Sequence, residues 1–575
     1  MIAFIKKHLR SICSMPFNSH LMLYLLFFLL VLTIASMLSA RSFKKSNVKK
    51  LQRLRDNWGK KKKGEFDFNS IKIYSNNYTD FSFHTLSSQT KNDIDFDALF
   101  CFIDRTTTKV GQQFLYDALS KPIDNIEHLK MLQLQTNFFC DDNLRREKIQ
   151  KVLEPLAKED AYNIASLLSS DLPGKPSWYK WVVVYIIAVF IFLIFTRFHH
   201  KLLLWIMLPL AINVFFHYRT KNYTKLFKGA FPQLNILIKV CKKLRAANLP
   251  FSSEGLSQSI VNLKVIQNKG RLLSYDGHTL TDEFTEIGMY IFELIKGFFL
   301  IEFFAFNSLL KDVKKSRADI LTLFQYAGSV DRALSIASLQ ADIQPTCTPV
   351  FLPAQKQLSF MQLYHPLIED CVVNDLNLNE KSVLITGSNM SGKSTFLRSV
   401  AINAVLAQTI ITCFAAKFCT PVLKLHSSIR IDDDLFDGKS YYFEEVTVMA
   451  ALIDQVEQPW QNIFILDEVF KGTNTIERIA SAKAILSFLN KNNNIVFVST
   501  HDVELSSMLA DEFDLYHFAE LIEGDQFTFD HKLKAGPVIT SNAIKILELH
   551  NYPDEIILEA KSISESFQLT VPQVS

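Results

Sequence analysis

Three stretches of the chain lack the polar positions that punctuate an amphipathic helix. Leu21 to Ala40 (LMLYLLFFLLVLTIASMLSA) runs for about 20 residues without a charge, the length needed to cross a bilayer's hydrocarbon core. A cleaved signal peptide is the rival reading. Its apolar region is usually shorter, with a small-residue cleavage site close behind, so a membrane anchor is expected. Trp181–Thr196 and Leu202–Phe216 are shorter, and only Arg197-Phe198-His199-His200-Lys201 separates them. This spacing predicts a tight pair of helices. A buried hairpin in a soluble core is the alternative, but neither run carries a polar stripe at the helical period, which favours a membrane hairpin. A fourth apolar stretch, Ile287–Phe306, contains Glu293, Lys296 and Glu302 and predicts a long packed helix.

Elsewhere the period divides the chain in two. From Phe96 to Gln340 helical spacing dominates, as in FPQLNILIKVCKKL at Phe231–Leu244. From about Val350, short β-rich runs alternate with helical ones: Ser382–Thr386 (SVLIT), Asn462–Leu466 (NIFIL) and Asn494–Ser499 (NIVFVS). That alternation predicts a parallel sheet with crossover helices. The expected organisation is an anchor at 1–45, a basic and polar connector at 46–95, a helical domain at 96–345 interrupted by the hairpin at 181–217, and an α/β domain at 346–575.

Composition sharpens this picture in two places. With 575 residues, 48% hydrophobic and only 17 Gly and 17 Pro, the chain is neither disordered nor low in complexity. The 48 Phe residues and a mean hydropathy of +0.11 suit lipid contact. Eight scattered cysteines without a CxxC read as reduced thiols in the cytosol, with neither a disulfide frame nor a zinc site. The net charge of +4 is too mild to mark a nucleic-acid binder, but its distribution is informative. Arg41, Lys44, Lys45, Lys49, Lys50, Arg53, Arg55 and Lys60 to Lys63 follow the first apolar run, and only Lys6, Lys7 and Arg10 precede it. By the positive-inside rule both large segments lie in the cytoplasm, in a multi-pass protein of the inner membrane. Arg197 and Lys201 count mildly against this. The basic run Lys44–Lys63 fits anionic lipid or a topology signal better than DNA phosphates, which stay the alternative.

Three motifs carry chemistry. Gly387-Ser388-Asn389-Met390-Ser391-Gly392-Lys393-Ser394 fits G-x-x-x-x-G-K-[ST] between a strand and a helix. Its backbone N–H groups would face phosphates at the helix N-terminus. Lys393 would meet the β- and γ-phosphates of ATP, and Ser394 would hold Mg²⁺. About 75 residues on, Ile463–Glu468 makes an apolar strand ending in two carboxylates. Asp467 fits the Mg²⁺ side, and Glu468 fits the group that orients or deprotonates water. Val498-Ser499-Thr500-His501 ends a third strand, where His501 would sense the γ-phosphate.

Together these residues resemble the MutS family of mismatch-repair ATPases, within the ABC-type class. TGSNMSGKST, ending in Ser394 and Thr395, is similar to the family's TG-P-N-M-x-GKST, with Ser388 in place of Pro. LDEVFKGTNTIER resembles DE-x-x-x-GT-x-T, and THDVEL resembles TH-x-x-EL. Tyr364-His365-Pro366 resembles the opening HP, and FDHKLKAGPVITSNAIKILELHNYP the closing segment. Ile103–Gly111 with Asp331, Ser335 and Ala337 resembles the two ends of the family's helical core. The resemblance implies an α/β P-loop (ABC-type) ATPase domain C-terminal to a mostly α-helical core, here with transmembrane helices. It implies ATP and Mg²⁺ as cofactors, a homodimer, and Ser440 reaching the partner subunit's nucleotide, with Glu445 as the acidic residue of that segment. Membrane lipid joins the list of partners, and double-stranded DNA is an open one. Departures are Cys371, where the family often has an aromatic under the adenine, and Arg478, which replaces a small residue. No stretch of about 250 residues precedes the helical core, so mismatch-reading and connector domains are not expected. A membrane ATPase that moves a protein partner without DNA is the second reading. The lack of an LSGGQ-like segment argues against a transporter or chromosome-condensing ATPase.

Overall fold

The computed structural model describes residues 48–78, 82–169, 174–199, 229–273, 299–388, 390–430, 441–470, 472–523, 526–537 and 552–570, with isolated positions elsewhere. Most of Leu21–Ala40, part of Leu202–Phe216, residues 287–298, Asn389 and Ser440 lie outside them. The chain divides into two units, 1–58 and 59–575. The first is helical over residues 48–57.

Strands β1 (Val350–Phe351), β2 (Gln357–Leu363), β3 (Asn374–Asn379) and β5 (Lys417–Thr420) form a small mixed sheet in the order β1-β5-β2-β3. Strands β4 (Ser382–Thr386), β6 (Lys424–Ser428), β7 (Asn462–Asp467), β8 (Ile495–Thr500), β9 (Phe513–Glu523) and β10 (Gln526–Ala535) form the main sheet in the order β10-β9-β4-β8-β7-β6. Its neighbours are parallel except for the β9–β10 hairpin.

The apolar runs read from sequence are the central strands, and every residue of β4 is buried. Strand side chains alternate between faces, so such runs need cover on both sides. On one face Val383, Ile385, Ile463, Ile465, Ile495 and Phe497 pack with Phe396, Leu397 and Val400 of helix Lys393–Thr409. The same cluster takes in Leu99 and Phe100 of α1 (Phe96–Ile103), Leu115 and Tyr116 of α2 (Lys109–Leu119), and Ile336 and Leu339 near the end of a long helix, Arg317–Asp342. On the other face Leu384, Phe464, Leu466, Val496 and Val498 meet Met449 and Leu452 of helix Tyr441–Val456, Leu486 and Leu489 of helix Thr475–Leu489, and Leu505 and Leu509 of helix Val503–Leu509. The helical region and the sheet thus share one hydrophobic core.

One apolar helix, α3 (Tyr179–Thr196), is the only one among the described residues long and apolar enough to cross a membrane. Val182 and Val189 are buried on one side. There Trp178, just ahead of α3, stacks on Phe303 of α4 (Ile301–Lys315) at 5.0 Å, and Tyr179 meets Phe304 at 5.9 Å. Trp181, Ile187, Ile194 and Phe195 are each more than half exposed. The described part of the fourth apolar stretch is packed, with Phe303 and Phe306 buried.

The long helix α5 (Arg317–Asp342) crosses α2 so closely that only glycine fits. A Cβ on Gly111 would lie 2.1 Å from Asp331 Oδ2, and one on Gly328 would lie 2.6 Å from Phe114 Cβ. Asp331 is fully buried and accepts from Thr107 N (2.8 Å), Thr108 N (2.7 Å) and Thr108 Oγ1 (2.6 Å). Thr108 in turn caps α2, its Oγ1 accepting from Gly111 N at 2.8 Å. Burial pushes the Asp331 carboxyl up to about 6, against those hydrogen bonds. Arg105 N donates to Ser335 Oγ at 2.8 Å, and the Arg105 guanidinium pairs with Asp342 at 2.6 Å. The two sequence segments that resemble the ends of the helical core therefore meet in space.

Residues 82–95 lie along β6, the outer strand of the main sheet. Phe83 stands edge-on to Trp460 at 4.9 Å, and His84 Nε2 donates to the Leu425 carbonyl at 2.9 Å. Buried Asp93 accepts from Ser427 Oγ (2.6 Å), Ile429 N (3.1 Å) and Arg430 N (2.8 Å). His426 sits 5.1 Å from His84, stacks on Phe464 and donates to Asn462 Oδ1. Burial, reinforced by His84, holds the His426 imidazole down at about 3.

Two outcomes follow from this packing. Gly111→Ala should lose about 3 kcal/mol of stability in denaturant unfolding, because helix backbone and a buried carboxylate must both shift. The His426 pKa is lowered on folding, so its contribution to stability is intact above the ordinary value near 6.5 and is lost as pH falls from there toward 3. Thermal unfolding of His426→Gln should therefore show a shallower loss between pH 6 and 5 than wild type, by up to about 1.4 kcal/mol per pH unit.

Candidate nucleotide site

Between β4 and α6 (Lys393–Thr409) the chain turns through Gly387 (φ 141°) and Gly392 (φ 113°). Both lie in the left-handed region that glycine enters without strain. A Cβ on Gly387 would approach the Phe518 carbonyl to 2.7 Å. Gly392 occupies the N-cap of α6, so the loop's N–H groups and the positive end of the helix dipole face the same space.

Lys393 is buried at the first position of α6, and its Nζ donates to the carbonyls of Gly387 (2.6 Å) and Ser388 (2.8 Å). The ammonium therefore sits inside the loop it would share with a phosphate. Ser394 Oγ donates to Asp467 Oδ2 at 2.5 Å, and Ser499 Oγ also donates to Asp467. A hydroxyl and a carboxylate converging at the loop's edge are the hard oxygen donors that suit Mg²⁺. Glu468 follows at the end of β7 with φ +53°, a left-handed conformation uncommon outside glycine, and its N–H donates to Ser499 O at 3.0 Å. Strain of this kind is stored where the surroundings over-determine the backbone. Glu468 Oε1 lies 2.7 Å from His501 Nε2, which in turn lies 3.4 Å from Lys393 Nζ. The three motifs, spread over more than 100 residues of sequence, thus meet at one point.

A cavity of about 450 Å³ opens beside the loop, lined by Ser388, Met390, Gly392, Lys393, Ser394 and Thr395, and farther out by Ile368, Cys371, Asn374, Phe518 and His531. Its size suits a nucleotide-sized ligand. Ser391, buried behind it, donates through Oγ to Ser388 O at 2.8 Å and shapes the loop. Met390 at the lip is 84% exposed, with φ +73°.

Sequence reasoning missed His531, which comes from β10. Its Nδ1 donates to the Ser391 carbonyl at 2.9 Å, and its ring stacks on Phe529. Asn374 clamps it by donating to the His531 carbonyl and accepting from Leu533 N. The only signal for His531 was its place in FDHKLK, with nothing to say that β10 folds back over the loop. Cys371 does line the cavity. Arg478 forms a two-pronged pair with Asp502 at 2.9 and 2.6 Å, the residue after His501. Glu445 is buried and accepts from Gly472 N at 3.3 Å.

A strand–glycine loop–helix unit with a lysine inside the loop and an acid at the end of β7, two strands away in the sheet, has the form of a P-loop-type nucleotide-binding domain. Residues 383–568 match MutS domain V. The chain is 33% identical to the DNA mismatch repair protein MutS of Leuconostoc citreum over 279 residues, covering 46% of this chain and 31% of that one. It is 31% identical to MutS of Thermotoga maritima over 269 residues (45% and 33%) and 30% identical to that of Thermus aquaticus over 206 residues (35% and 25%). The chain thus spans a quarter to a third of the length of these relatives, and its likeness to MutS domain V lies in its C-terminal half.

Proposed function

We propose that this chain is a membrane-anchored ATPase that binds and hydrolyses Mg²⁺-ATP as a homodimer and couples that cycle to DNA structure. The observation that carries the nucleotide reading is the convergence of Lys393, the Ser394–Asp467 pair and the Glu468–His501 pair at the glycine loop. In this reading the loop N–H groups and Lys393 hold the phosphates, and Thr395 adds its N–H in the first turn of α6. Ser394 and Asp467 hold Mg²⁺, which supplies charge neutralisation on the γ-phosphate. Glu468 orients the attacking water, and His501 reads the γ-phosphate while holding Glu468 in place. Ser440 of each copy would complete the other's site.

The membrane reading draws on α3. A helix that packs one face on aromatic rings and leaves large apolar side chains exposed on the others finds its lowest free energy in lipid. The basic run Lys44–Lys63 would lie on the cytoplasmic side. The DNA reading draws on the likeness to DNA mismatch repair proteins.

Lys393→Ala should abolish ATP binding, while Glu468→Gln should keep binding and lose at least about 100-fold in turnover. Unchanged hydrolysis in both variants would refute the ATPase reading. The full-length protein should stay in the membrane pellet after carbonate extraction; its release would remove the anchor. ATP should alter its binding to homoduplex, mismatched or branched DNA at low salt. If none of the three binds, the reading of a membrane ATPase that moves a protein partner takes its place.

A further inference from the structure

The connector reaches the nucleotide site through a charge cluster. Asp95, the last residue of the segment that covers β6, accepts from Arg430 at 2.7 and 3.3 Å with its two carboxylate oxygens. Its Oδ2 also lies 3.6 Å from an amino nitrogen of Arg398. Arg398 stands on α6 one turn beyond Ser394, with only 19% of its side chain exposed. Its Nε is buried without a hydrogen-bond partner. Burial and the nearby Arg430 weaken the hold on its proton, while Asp95, Asp93 and Asp467 strengthen it through space. Burial first, and then the charge of this guanidinium, hold the His365 imidazole down at about 4.

A largely buried guanidinium one helical turn from Ser394, whose hydroxyl is bonded to Asp467, opposes a metal held by that pair, because two cations then share one anion. We infer that Arg398 and Asp95 are positioning residues for Mg²⁺: Asp95, brought in by the connector, neutralises Arg398 and so sets how strongly the Ser394–Asp467 pair holds the ion. The inference rests on the nucleotide reading above, and it gives residues 82–95 a role in the cycle beyond covering a sheet edge.

The test titrates Mg²⁺ against the full-length protein in detergent, using the non-hydrolysable analogue adenylyl imidodiphosphate. Asp95→Asn should raise the Mg²⁺ concentration for half-maximal analogue binding about fivefold. Arg398→Gln should lower it by about two- to fivefold, and the double variant should return within about twofold of wild type. A merely structural role would weaken both single variants and leave the double variant no better. Asp95→Glu, which keeps the charge, should behave as wild type; if Asp95→Asn fails to fold, the tightening by Arg398→Gln decides the matter alone. Unchanged half-saturation in the variants of a protein that binds the analogue overturns this inference only. A wild-type protein with no Mg²⁺-dependent binding overturns the nucleotide reading and this inference with it.

Discussion

A five-residue strand buried on both faces governs this molecule. SVLIT cannot exist as β4 unless something apolar covers each side, and the two covers differ in origin. One is local, from the helices that follow β6, β7 and β8 in the chain. The other is shared with helices 96–119 and with the end of the 26-residue helix α5. The phosphate loop hangs from the end of that strand, so its geometry depends on a helical region that begins about 290 residues earlier in the sequence. Any change at the α2–α5 crossing is therefore felt by the sheet through direct contact, with no flexible linker between.

The parts legible in the sequence were those written in local patterns. The central strands, the glycine loop and the helix from Lys393 were read within a residue or two, because an apolar run ending in a glycine turn has few other meanings. Aligned strand ends also place Asp467 and His501 beside the loop. The small sheet was not legible: β1 has only two residues, and β3 alternates Asn and Asp with leucine, so neither rises above a loop pattern. His531 was missed for a related reason. Its relation to the site depends on a hairpin doubling back, and an exposed histidine in a polar strand carries no mark of that. Arg478 looked like a departure from the family pattern and turns out to have an acidic partner, Asp502, only 24 residues away.

The connector was the least readable segment, and physics explains why. Its buried apolar residues, Ile71, Tyr74, Leu86 and Ile94, are too widely spaced to make a periodic pattern, and it also acts through single polar atoms, Asp93 most of all. A carboxylate that replaces water with three donors from one strand end has the composition of an ordinary loop residue. Only the fold shows that it substitutes for a missing neighbouring strand.

That substitution has a consequence for how copies of the protein can meet. An outer strand with open N–H and C=O groups invites a second sheet to continue the first. Here the side chains of Phe83, His84 and Asp93 occupy the flank of β6, so templated growth from that flank is sterically closed. Self-association there cannot slide into fibril-like stacking, and any pairing of two copies must bring surfaces together without merging their backbones on that side.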